Sequence, residues 1–194
     1  MNTRASRALW IACALTVAAG GTVSALNTQA LPTGASKPTL DVIKKLAGTW
    51  VELGEDGQPT DKVANVWRVT SGGFTVVETV MPGTKDEMLT VYHMDGDDLV
   101  LTHYCMLQNQ VRMKARFEKD KLIFEYDGGT FVTSHDEAHM HRAEFTFVDE
   151  DHIKTRWEMF EKGENTYTAS GDLVRRETAS DTGSDVKPDI HEEK

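Results

Sequence analysis

Between Thr49 and Arg175 apolar and polar residues alternate in short runs, a period of two that predicts strands rather than helices. Strands are expected over 49–54, 63–70, 74–81, 88–94, 99–105, 110–118, 121–126, 139–148, 153–160 and 166–175, separated by glycine- or aspartate-rich turns such as Gly72–Gly73, Asp95–Gly96, Gly128–Gly129 and Asp149–Asp151. One stretch has helical spacing instead. Leu40, Ile43 and Leu46 recur on one helix face, with Thr39 placed to cap it, Asp41 in the first turn and Gly48 as its stop. A helix of that length is not stable by itself and must lie on something apolar. Because no helix interrupts the strands, and long open sheet edges invite pairing with other chains, the meander is expected to close. The expected fold is therefore all-β: an up-and-down antiparallel barrel of about ten strands with a short N-terminal helix at one end, in preference to an immunoglobulin-like sandwich.

The ends of the chain differ from this middle. Arg4 and Arg7, the apolar run 8–19 and the small residues Val23, Ser24 and Ala25 have the layout of a signal peptide cut near Ala25, so 1–25 is expected to be removed and the product to be periplasmic or secreted. Residues 26–37 are expected to form a flexible lead-in, 38–176 the barrel domain and 177–194 a disordered acidic tail, where only Val186 and Ile190 are large aliphatics. The leader holds two arginines and no acid, so its removal moves the formal net charge from −10 to −12. Such a chain repels phosphate backbones and anionic lipid, which argues against nucleic acid or stable membrane insertion. Of two cysteines, Cys13 leaves with the leader; Cys105 alone cannot close an internal disulfide, and the core must hold the fold.

Candidate chemistry concentrates in 89–112. Leu89, Val91 and His93 share one strand face, and Leu99, Leu101, His103 and Cys105 share another, which sets histidines and a thiol on apolar faces. His139 and His141 share a face with Ala143, Phe145 and Phe147, and an H-x-H pair on one strand can turn two rings toward one ion. Glu78 has two readings: inward with Val76 and Val80, paired to Arg112 or a histidine, or solvated if Val77 and Met81 face inward. Asn109 and Arg112 follow the hairpin and offer amide and guanidinium donors, although Arg112 reads equally well as an outward residue. The ordinary alternative for each histidine is a neutral ring packed with its neighbours. His135, His152 and His191 are expected in loops or the tail and solvated. No dinucleotide site, phosphate-binding loop, G-x-S-x-G nucleophile, H-E-x-x-H helix or CxxC pair is present.

LAGTW (46–50), MPGTKDEMLTVYHMDGDDLVLTHYC (81–105), NQVRM (109–113) and the HMH segment (139–141) resemble a family of bacterial calycin-like proteins of unassigned function, in the superfamily of lipocalins, fatty-acid-binding proteins and haem-binding nitrobindins. The resemblance spans about residues 40–176. It implies that Trp50 closes the barrel base under an arginine of the last strand, Arg175 or Arg176, and, by analogy with nitrobindins, that His139 or His141 could meet a haem iron. Three functions follow as expectations. The first is an exported barrel that binds a small apolar or amphipathic ligand through His93, His103, Cys105, Asn109 and Arg112. The second is a metal-binding protein or metalloenzyme holding zinc, copper or iron on His103, His139, His141 and Glu78. The third is a structural or partner-binding envelope protein.

Overall fold

Ten strands, β1 (Gly48–Leu53), β2 (Pro59–Thr70), β3 (Thr75–Val80), β4 (Met88–Asp95), β5 (Asp98–Tyr104), β6 (Gln110–Glu118), β7 (Lys121–Thr130), β8 (His139–Phe147), β9 (His152–Glu161) and β10 (Glu164–Arg175), each pair antiparallel with the next in sequence. β1 also pairs with β10, Trp50 lying opposite Arg175, so the meander closes into a barrel. This is the expected all-β architecture, compatible with a calycin-like fold. The structure is a computed structural model that describes residues 37–176; the expected leader, the lead-in up to residue 36 and the acidic tail lie outside the described residues.

The helix, α1 (Leu40–Lys44), is shorter than its apolar spacing predicts. Thr39 occupies the N-cap position in extended geometry but makes no side-chain capping bond; after Lys44 the chain continues in single turns, Leu46 N–H donating to Ile43 O at 2.9 Å and Ala47 N–H to Lys44 O at 3.1 Å. Gly48 opens β1 instead of stopping a helix. Leu40, Ile43 and Leu46 are all buried against the strands, which supplies the apolar partner that so short a helix requires.

Beneath this plug Trp50 is fully buried, and its indole N–H donates to Leu46 O at 2.8 Å. The Arg175 guanidinium lies 4.5 Å above the Trp50 ring, donates to Ala47 O (2.5 Å) and Lys45 O (2.8 Å), and pairs with Asp151 at 2.6 Å. Arg175 is thus the covering arginine; Arg176 instead donates to Asp61 O at 2.8 Å. Gly48 (φ 133°) is required here, because a Cβ would stand 3.0 Å from Arg175 Nη1. From this end the core runs inward through edge-to-face aromatic pairs, Trp50–Trp67 (5.8 Å), Tyr92–Phe124 (5.7 Å), Phe124–Phe145 (5.9 Å) and Phe145–Trp157 (6.4 Å). Each large aromatic removed from water contributes on the order of 4 kcal/mol before its ordering entropy is counted.

The register decides which faces look inward, and it corrects one expectation. Asp95 pairs with Asp98 across a tight turn, so Thr90 lies opposite His103, Tyr92 opposite Leu101 and His93 opposite Val100. Thr90 and Tyr92 are fully buried inside; Leu89, Val91 and His93 therefore occupy the outer face, with His93 only half-buried. Two histidines of one hairpin cannot share the interior at this register.

Candidate functional site

Four neighbouring strands bring Trp67, Glu78, Thr90 and His103 side by side, each directly opposite the next in the ladder. They form a polar band on the inner wall of an otherwise apolar barrel. Glu78, 1% exposed, faces inward as one of its two readings held, but its partners are neither Arg112 nor a histidine: Asn65 Nδ2 donates to Oε1 at 2.5 Å and Tyr92 Oη to Oε2 at 2.5 Å. Burial pushes the Glu78 carboxyl up to about 7, against the opposing hydrogen bonds from Tyr92, Asn65 and Thr90. The Tyr92 hydroxyl is held well above its ordinary range by burial and by the adjacent carboxylate, so it stays a donor.

His103 is 3% exposed, and Nδ1 lies 3.0 Å from Thr90 Oγ1. Burial lowers its pKa to about 4, so the ring is neutral near neutral pH. Its Nε2 is buried without a hydrogen-bond partner, and the ring lies 5.0 Å from that of Trp157, tilted by 39°. The Trp67 indole N–H adjoins the Tyr92 hydroxyl but lacks hydrogen-bond geometry, so it too has no partner. Polar atoms left so in a protein interior are uncommon, because each forfeits its solvation without compensation.

The band slants across the barrel, from Trp67, which packs on Trp50 beneath the helix, to His103 toward the opposite end, where the walls change character. Leu99, Leu101, Met113, Phe124 and Phe145 are fully buried, whereas Trp157, Tyr126 and Met140, which also pack on the core, are only half-buried. The turn after β5 and the segment 131–138 lie across this end: Asn109 Nδ2 donates to Ala138 O at 2.9 Å, Lys162 N–H to Asp136 O at 3.1 Å, and Val132 packs on the core. Asn109 is buried and its Oδ1 has no partner. Cys105, also buried, sits at the start of the same turn; burial pushes its thiol up, which makes it an unreactive apolar neighbour.

His139 and His141 form a separate group. A register shift between Met140 and Arg142 breaks the alternation of β8, so the core-facing sequence runs Phe145, Ala143 and then Met140. The expectation that the two rings simply continue the Ala143–Phe145 stripe is corrected by this bulge. His139 Nε2 lies 3.0 Å from His141 Nδ1, His139 Nδ1 lies 2.6 Å from Glu137 O, and the rings pack among Tyr126, Phe160 and His135. Burial and the neighbouring histidines lower the His141 pKa.

The proposed ligand set is thereby divided. Glu78 is engaged by Asn65 and Tyr92, His103 by Thr90, and His139 and His141 by each other; among the described residues no group of three or more His, Cys, Asp or Glu is arranged to hold a metal ion. Arg112 is not in the interior either. It lies on the outer face of β6, 2.5 Å from Asp95 and 3.3 Å from Asp127, because Val111 and Met113 take the inward positions.

Thr90, Tyr92 and Asn65 belong to these clusters and are not among the expected site residues; Trp157, expected as core or rim, and His135, expected solvated in a loop, join them. The first two were legible, since the tight Asp95–Asp98 turn dictates that Thr90 faces His103; the others depend on contacts between strands or loops distant in sequence. A groove of about 410 Å³ lies elsewhere, on the outer face of β7–β10 among Lys121, Glu144, Lys154, Arg156 and Asp172. Its charges are paired, Lys121 with Glu144 at 2.8 Å, Lys154 with Asp172 at 3.3 Å and Arg156 with the adjacent Glu158 at 2.6 Å. Among the described residues no helix is long and apolar enough to cross a membrane. No protein-family model matches the chain, and no curated protein matches its sequence.

Proposed function

We propose that this barrel binds a small apolar or amphipathic molecule, admitted at the end away from α1 and oriented by the polar band. The observation that carries this reading is the His103 imidazole: a neutral ring, buried inside the barrel, with one nitrogen held by Thr90 and the other unpartnered beside the half-buried Trp157. Apolar walls with a few convergent polar groups are the usual makeup of a small-molecule site. Trp157 and Tyr126 would cover the apolar part of the ligand, and His103 would take its polar end. The segment 131–138, which must shift for the ligand to pass, is tied down by only a few hydrogen bonds.

Export is part of the same proposal and is supported by the leader-like residues 1–25 alone. The test is mass spectrometry of protein purified gently from its native compartment. A co-purified small molecule of defined mass, lost in a folded His103→Phe variant, is expected, together with a mature N-terminus near residue 26. Native protein that carries nothing and gains nothing from a lipid extract would overturn the binding reading.

A further inference from the structure

The contact between His139 and His141 has a fixed direction, because a backbone carbonyl can only accept. His139 Nδ1 lies 2.6 Å from Glu137 O and must carry hydrogen, which leaves Nε2 of the neutral ring as a lone pair. Across 3.0 Å that lone pair accepts from His141 Nδ1–H. A first added proton fits on His141 Nε2, outside the contact. A second does not fit: it must go to His139 Nε2, where both facing nitrogens would carry hydrogen and both rings a positive charge. The groups packed on the pair add to this balance. Burial, then His139 and His135, bring the His141 pKa below 6.5 against the carboxylates of Glu125 and Glu158, which are themselves held by Arg142 and Arg156. Burial and the nearby Glu137 push the Tyr126 hydroxyl up, and the Glu137 carboxylate is engaged by Thr133. Among the described residues no third ligand is arranged to make the pair a metal seat.

The two rings differ in what holds them. His141 is clamped by stacking, its ring 4.3 Å from Phe160 of β9 and 5.7 Å from Tyr126 of β7. His139 is tied to the covering segment: it holds Glu137 O, and the His135 ring stands 6.2 Å from its own. Residues 133–137 of that segment are exposed. We infer that the pair is a proton-operated latch on segment 131–138: it accepts one proton and is driven apart by a second, so that acid frees the segment and opens the barrel end it covers. That this opening releases a bound molecule rests on the binding reading above; the opening itself does not.

Amide exchange at 131–138, corrected for its intrinsic pH dependence, tests the latch in the full chain. It is expected to be at least about tenfold faster at about pH 4 than at about pH 7, with the amides of β5 still protected. His141→Asn is expected to abolish that difference, since its amide can present N–H or C=O to His139 Nε2 and takes up no proton. Glu78 and His103 titrate over the same range but are present in both proteins, so their effects cancel. Acid loosening that persists in the variant, or none in the parent, would overturn the inference. Where the variant does not fold, nitrogen NMR of the parent decides: neutral His139 should carry its hydrogen on Nδ1, and the loosening should accompany the second proton on the pair. Another tautomer, or loosening with the first proton, contradicts it. Release of N-phenylnaphthylamine, a neutral apolar fluorophore, reads the consequence and should quicken by the same factor in acid; release at an unchanged rate while the segment loosens would break the link to the ligand. If exchange behaves as expected but neither this probe nor a native ligand binds, the latch stands and the binding reading alone fails.

Discussion

The two ends of the barrel solve different problems with the same strand scaffold. At the helix end the covering groups are engaged: the Trp50 indole reaches Leu46 O, and the Arg175 guanidinium serves carbonyls and a carboxylate while covering the ring. Along the polar band and on toward the other end, a carboxyl is buried without a cation, and Trp67, His103 and Asn109 keep unpaired polar atoms. One end is arranged for stability; the other retains groups that reduce stability unless something binds them. Such departures from full satisfaction are characteristic of functional sites.

The contrast can be broken most forcefully at the closed end. Trp50→Ala is expected to lower stability by about 3–5 kcal/mol in urea unfolding, because it empties a fully buried aromatic site and releases Arg175. The polar band responds to pH instead. The folded-state pKa of Glu78 is raised from 4.5 to about 7, so the folded protein holds this proton more tightly than the unfolded chain does. Its adverse contribution is absent below pH 4.5, grows as pH rises to about 7 and then levels off at about 3 kcal/mol. Glu78→Gln should remove that loss, so the variant gains on the parent as pH rises through this window; a constant difference between the two across it would contradict the assignment.

His103 acts with the opposite slope. Its pKa is lowered from 6.5 to about 4, so its contribution is fully favourable above pH 6.5 and is lost as pH falls toward 4; His103→Phe should remove that acid-side loss in the same unfolding series. A smaller effect is expected for Asn109→Ala, about 1 kcal/mol, since it releases the bond to Ala138 O and also deletes an unpaired oxygen; faster amide exchange at 131–138 would show the segment loosened. Smallest of all, Arg112→Ala and His93→Ala should each change stability by less than about 0.5 kcal/mol and leave ligand affinity unaltered, as outer-face positions do.

The strand alternation, the turn residues and the single amphipathic segment were enough to predict ten antiparallel strands, closure and a helix over one end, because each depends on local backbone geometry and on which residues avoid water. Glu78 and His103 were legible as interior candidates for the same reason. The face of β4 was misassigned because Leu89 and Val91 are as apolar as core residues, although the two-residue turn already required Thr90 and Tyr92 to face His103 and Leu101. The bulge at His141, the Asn65–Glu78–Tyr92 contacts and the approach of Trp157 to His103 could not be read from any run of residues. Strand period tells which side chains share a face; only the closed barrel, with its own register and bulges, decides which of them meet across the interior and which buried polar atoms are left without a partner.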